Sequence, residues 1–221
     1  MRCRLCDRWR ARQWEKSDAW ECAHSNESEL WWEEPARNRE LIQQAYDSHR
    51  TDPAAAFALY LEAAEAGSAW GMETVGLLYW AGEGVAPDSY KAQEYLWRAI
   101  DAGSWTATIS YSRLLADLGD HEQCDRVLED GVAKDFVPAC FWLAWFRYRR
   151  CPNRATLGEL RPMLGYAAEK GHPMARIVLA HLMMRGKFGL REIPAGVRLA
   201  CRWLRENEQE AVAAADAPAH E

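Results

Sequence analysis

The chain has 221 residues, a formal net charge of −6, 49% hydrophobic residues and 27% charged ones. That composition suits a folded domain with a sizeable core and excludes a low-complexity or highly charged disordered chain. No run approaches the roughly 18 consecutive apolar residues of a membrane helix, and the basic start MRCRLCDRWRARQWEK has no apolar stretch behind it to act as a secretory signal, so a cytoplasmic protein is expected.

The first 34 residues read as a Trp-rich leader. Residues 1–16 carry six Lys/Arg against two acids, and residues 17–34 carry six acids and no base. Cys3-x-x-Cys6, with Cys22 and His24 beyond it, supplies the residue types of a tetrahedral zinc site. A reduced, flexible arm is the competing reading, because the second half is Cys-x-His rather than Cys-x-x-Cys and nothing repeats it. Zinc is the one cofactor these residues suggest. The stretch ESELWWEE (27–34) reads as a cap docked on the folded body, since the end of a repeat array needs covering.

From residue 36 the pattern becomes helical. Arg39–His49 and Pro53–Ala66 form a first pair of helices. Residues 69–81 (AWGMETVGLLYWA) place Met72, Val75, Gly76 and Tyr79 on one helix face. GEGVAPD breaks the pattern with two glycines and a proline. Asp88 then opens a second helix over 88–101, and Ala102-Gly103 closes it, because glycine readily takes the left-handed conformation past a helix end. AAEAGSAW (63–70) returns as AIDAGSWT (99–106) and as AAEKGHPM (167–174), with a weaker copy, VAKDFVPA (132–139), between them. Aligning Gly67, Gly103, Phe136 and Gly171 gives a period of 33–36 residues, that of stacked helix pairs.

The stretch Ala63-Ala64-Glu65-Ala66-Gly67, followed by Val75-Gly76-Leu77-Leu78-Tyr79, Gly82-Glu83-Gly84-Val85, Asp88 and Lys91-Ala92, resembles a Sel1-like repeat, a relative of the tetratricopeptide repeat. The unit from 103 lacks the Gly-x-Gly-Val turn, the unit from 136 is degenerate, and the unit from 171 keeps Gly186 and Gly189 in its turn. The resemblance implies an all-α fold, a right-handed α-solenoid of about four to five antiparallel helix pairs. The expected division is a leader over 1–34, a solenoid over 35–207 and a flexible tail over 208–221. Some members of the family are secreted, with regular disulfides and a reported β-lactam-binding activity. The seven cysteines here lack that regular pairing, so the activity is not carried over. Cys140 and Cys201 sit among apolar neighbours and are expected in the core.

The family's solenoids bind along the side lined by the first helix of each pair. Mapping Glu73 and Leu77 through the repeat yields Ile109 and Arg113, Trp142 and Phe146, then Ile177 and His181, a groove suited to a peptide or helix. Packing between repeats competes with binding for each single aromatic. Arg147, Arg149, Arg150 and Arg154 form a basic patch in a segment, 138–207, that holds thirteen bases against four acids; residues 35–137 hold eight against seventeen. Such a split favours an acidic protein partner and also permits head-to-tail self-association. The overall acidity and the lack of a nucleic-acid-binding motif argue against nucleic acid.

No catalytic motif stands out. Gly82-x-Gly84 lacks the third glycine and the strand of a dinucleotide fingerprint. His121 and Cys124, beside Asp120, Glu122 and Asp125, read as a solvated, loop-like cluster rather than a nucleophile with its base. The leading expectation is therefore a protein-interaction adaptor. The alternatives are an enzyme or small-ligand binder with a site between repeats, and a binder of an anionic polymer through the basic third.

Overall fold

A computed structural model describes residues 4–216, with side chains described over 11–206. Among the described residues there are twelve α-helices and no strand. The first two lie in the leader, α1 (Arg4–Ala23) and α2 (Glu27–Glu33). Five consecutive pairs follow: α3 (Ala36–Ser48) with α4 (Pro53–Glu65), α5 (Ala69–Ala81) with α6 (Ser89–Asp101), α7 (Thr106–Leu118) with α8 (His121–Ala133), α9 (Val137–Arg150) with α10 (Arg154–Glu169), and α11 (Pro173–Met184) with α12 (Ile193–Asp216). The chain is an all-α solenoid of helix pairs. It divides into two compact units, Ala19–Leu143 and Met1–Asp18 with Ala144–Glu221, the borders falling inside α1 and α9. No helix among the described residues is long and apolar enough to cross a membrane.

One local device repeats along the chain. After α4, α6, α8 and α10 the backbone N–H groups of Ser68, Ser104, Phe136 and His172 reach back five residues to the carbonyls of Ala63, Ala99, Gly131 and Ala167. The residue before each of these donors has a positive φ: Gly67 (95°), Gly103 (95°), Asp135 (60°) and Gly171 (102°). This is the Schellman closure, in which a left-handed residue lets the chain satisfy carbonyls orphaned at the helix end. The new helix is capped at once where the side chain allows it. Ser68 accepts from the Gly71 N–H, Ser104 from the Ala107 N–H and His172 Nδ1 from the Ala175 N–H.

The closure sets the register of the degenerate third unit. The residue equivalent to Gly67 is Asp135, not Phe136, one position earlier than the sequence alignment places it. With that shift Gly76, Ser112, Ala144 and Ala180 occupy one repeat position, and all four are buried. Their small size lets helices approach. A Cβ added at Gly76 would lie 2.7 Å from Leu96 Cγ, closer than packed atoms tolerate.

Within Ala19–Leu143 the core is built from Ala56, Tyr60, Ala63, Val75, Leu96, Ala99, Leu114, Leu115, Leu128 and Phe141, each almost fully buried. The second helices of adjacent pairs are tied at the surface by Glu65, which accepts from Tyr95 (2.9 Å) and Arg98 (3.0 Å). In the other unit Leu160, Leu164, Ala167, Ala175 and Leu182 form the core. Cys140 is buried, but Cys201 on α12 is exposed, since apolar neighbours along the chain do not by themselves place a residue between helices. The expected loop-like cluster at 120–125 is the first turn of α8. Asp120 caps it by accepting from the Gln123 N–H, Cys124 is buried and His121 is exposed. Helix α12 continues to Asp216, into the stretch 208–221 expected as a tail.

Candidate binding groove

Within Ala19–Leu143 the first helices α5 and α7 and the start of α9 present one row of polar and aromatic groups, and the leader segment 19–34 lies along it. At α5, the Trp70 indole N–H donates to Glu27 Oε1 (3.0 Å), and Trp31 meets the Trp70 ring at 6.2 Å and 65°. Just beyond, Ser68 donates to Glu34 (2.9 Å), which also accepts from Asn38 (2.7 Å). Ahead of α7, the turn between α1 and α2 is clasped by backbone: Asn26 donates to the Gly103 carbonyl (2.7 Å) and accepts from the Trp105 N–H (3.1 Å). At α9, the Trp142 indole N–H donates to Glu21 Oε2 (3.0 Å). The leader segment is thus read by three successive repeats, mostly through its side chains.

Glu73 sits in the same row and has a different set of donors. Its carboxylate accepts from Ser104 (3.0 Å), Thr106 (2.6 Å) and Ser110 (2.8 Å), all at or near the start of α7. Burial raises its pKa above the usual carboxylate range, the three hydroxyls pull the other way, and nearby Glu27 adds to the rise. Among the described residues no base pairs with Glu27, Glu34 or Glu73; their partners are indole, amide, thiol and hydroxyl groups.

The remaining expected groove residues divide between the two units. Ile109 is buried, Leu77 and Arg113 are exposed, and the Arg113 guanidinium lies 5.5 Å from the centre of the Trp142 ring. Phe146 and Ile177 are half-buried and His181 is exposed, all in the unit that includes 144–221. In the corrected register, the repeat equivalents of Glu73 and Leu77 in α9 are Phe141 and Trp145. Trp142 and Phe146 each stand one residue further on. Of the basic patch, Arg149, Arg150 and Arg154 are exposed, Arg147 is half-buried, and Arg149 lies over the Trp145 ring at 6.0 Å.

Of the expected zinc set, Cys3 and the side chain of Cys6 lie outside the described residues. Cys22 stands beside Glu27, its thiol pushed up to about 12 by burial first and by that carboxylate second. His24 Nδ1 is 2.8 Å from the Trp20 carbonyl and its ring stacks on Trp20 at 3.8 Å. Among the described residues no three metal-ligating side chains come together. Sequence reasoning missed Glu21 and Asn26 of the leader and Trp70, Ser104, Trp105, Thr106 and Ser110 of the row. Nothing in their local sequence marks them, because each acts across the fold.

No family model matches the chain, and no curated protein matches it. Among solved structures it is similar to a Sel1 repeat protein from Oxalobacter formigenes, with a TM-score of 0.61 at 18% identity, over 75% of this chain and 72% of that one. At that identity the likeness is one of fold. The chain therefore has the fold of a Sel1 repeat solenoid.

Proposed function

We propose that the chain is a protein-interaction adaptor. Its first-helix row in α5, α7 and α9 seats an acidic, aromatic-bearing peptide segment, and its own residues 19–34 hold that row until a partner displaces them. The reading rests on one observation: Trp70, Trp142, Gly103 and Trp105 already bind Glu27, Glu21 and Asn26 of a peptide segment by specific hydrogen bonds. Indole N–H groups aimed at carboxylates recognise acidic residues by charge-assisted hydrogen bonds, and aromatic anchors with a few polar groups suit a helix laid in a groove. A segment tethered to the same chain has a high effective concentration, so a free partner competes with it at a disadvantage.

The test is a fluorescently labelled peptide of residues 19–34 added to the full chain and to a triple variant, Glu21→Ala, Asn26→Ala and Glu27→Ala, that loosens the tethered copy. The peptide should bind the variant at least tenfold more tightly than the native chain. Equal binding to both, or none to either, would count against the row as a peptide site.

A further inference from the structure

Beside the leader lies a second concavity. Trp31 and Trp32 of α2, Tyr46 and Ile42 of α3, and Trp70 of α5 line a cleft of about 480 Å³, with Glu27 in its wall. Two of these rings are left largely in water, Trp32 at 75% and Tyr46 at 69% of full exposure, which is unusual for large aromatics unless they serve contact. Trp31 and Trp70 meet at 65°, so the cleft has two steeply inclined indole walls. The faces of indole and phenol rings carry negative electrostatic potential. Among the described residues no Lys, Arg or His lines the cleft, and the partners of Glu27 are the neutral Trp70 indole and the Cys22 thiol.

We propose that this cleft binds an alkylated ammonium group, carried by a small quaternary amine or by a methylated lysine side chain. The charge complementarity calls for a cation. The lining also says which kind. A bare ammonium or guanidinium carries several N–H groups that lose water on entry and need acceptors, and here one carboxylate, already bonded to Trp70, is the charged acceptor. A fully alkylated nitrogen has no N–H to satisfy, sheds its weakly held water readily, and gains from several ring faces at once. Because Trp31, Trp32 and Glu27 belong to the leader, occupancy also stabilises the leader in its docked position. The inference needs only that docked position, not the adaptor reading, and is measured with no protein partner present.

The experiment is calorimetric titration of the full chain with choline and with 3,3-dimethylbutan-1-ol, which has the same shape without the charge. Choline should bind at least tenfold more tightly than the neutral alcohol. Trp32→Ala should weaken choline binding at least fivefold with the circular dichroism spectrum unchanged, since that side chain is mostly exposed. Glu27→Gln should weaken it by a similar factor. A peptide carrying trimethyllysine, compared with its unmodified form, separates the sources. Binding tenfold tighter than choline points to a modified protein, and binding no tighter than choline points to a small amine. If the neutral alcohol binds as well as choline, or if Trp32→Ala leaves choline binding unchanged, the cleft is not a cation site and the proposal is overturned.

Discussion

The Trp142 indole N–H donates to the Glu21 carboxylate over 3.0 Å, joining residues 121 apart in the chain, and both side chains are almost wholly buried. A buried carboxylate deprived of a donor bears the cost of its lost solvation. Trp142→Phe, which keeps most of the ring volume and removes the N–H, should lower stability by about 1.5–3 kcal/mol, the range for hydrogen bonds to charged groups. The same variant should speed cleavage by a Glu-specific protease within residues 21–34. Urea denaturation and limited proteolysis check both. An unchanged melt with unchanged protection would mean that this bond does not hold the leader.

Glu73 makes stability depend on pH in a defined direction. Its folded pKa is raised, mainly by burial. An acid so shifted stabilises the fold fully below its unfolded pKa, near the ordinary value of 4.5, and that contribution is lost as pH rises through the higher folded value. Glu73→Gln keeps an acceptor for Ser104 and Thr106 and a polar partner for Ser110 while removing the charge. It should melt a few degrees higher than the native chain at pH 7, with the gap closing as pH falls toward 4.5. Melting curves across pH 4–8 check this. A lower melting temperature for the variant at pH 7 would mean that the three hydroxyl bonds outweigh the desolvation.

The repeat closures offer a paired test. Gly103 has φ of 95° and open space where a Cβ would stand, so the cost of Gly103→Val comes from the backbone alone. It should destabilise by about 1–2 kcal/mol. Asp135 holds the equivalent place at φ 60° without being glycine. Asp135→Gly should therefore be neutral or stabilising by up to about 1 kcal/mol, offset by the interactions the Asp side chain makes. Thermal melting of both variants checks the sign, and a destabilising Asp135→Gly would show that those interactions dominate.

If an acidic partner is drawn to the basic segment, Arg147→Glu, Arg149→Glu and Arg150→Glu together should slow its association at least tenfold at low salt and less at moderate salt. The dissociation rate should change little, since charges at a protein surface act mainly on encounter. Stopped-flow binding with the labelled 19–34 peptide, using the chain whose own leader is loosened, provides the measurement. A rate that does not respond leaves this patch as solvated surface.

The sequence by itself determined the repeat. Helices over 69–81 and 89–101, the Asp88 cap and the closures at Gly67, Gly103 and Gly171 are all legible, because period, capping and left-handed glycine act within a few residues. Only the tertiary structure decided the rest. The third unit is one residue out of the aligned register, since Asp135 takes a left-handed turn that its residue type advertises weakly. Cys201 is exposed despite apolar neighbours in sequence, because burial depends on what packs across a helix and not on what adjoins it along the chain. The leader segment lies on the first-helix row through bonds such as Asn26 to Gly103 and Glu21 to Trp142, spanning 77 and 121 residues. Hydrogen bonds at that separation leave no periodic trace, so the occupant of the groove becomes visible only once the helix pairs have stacked.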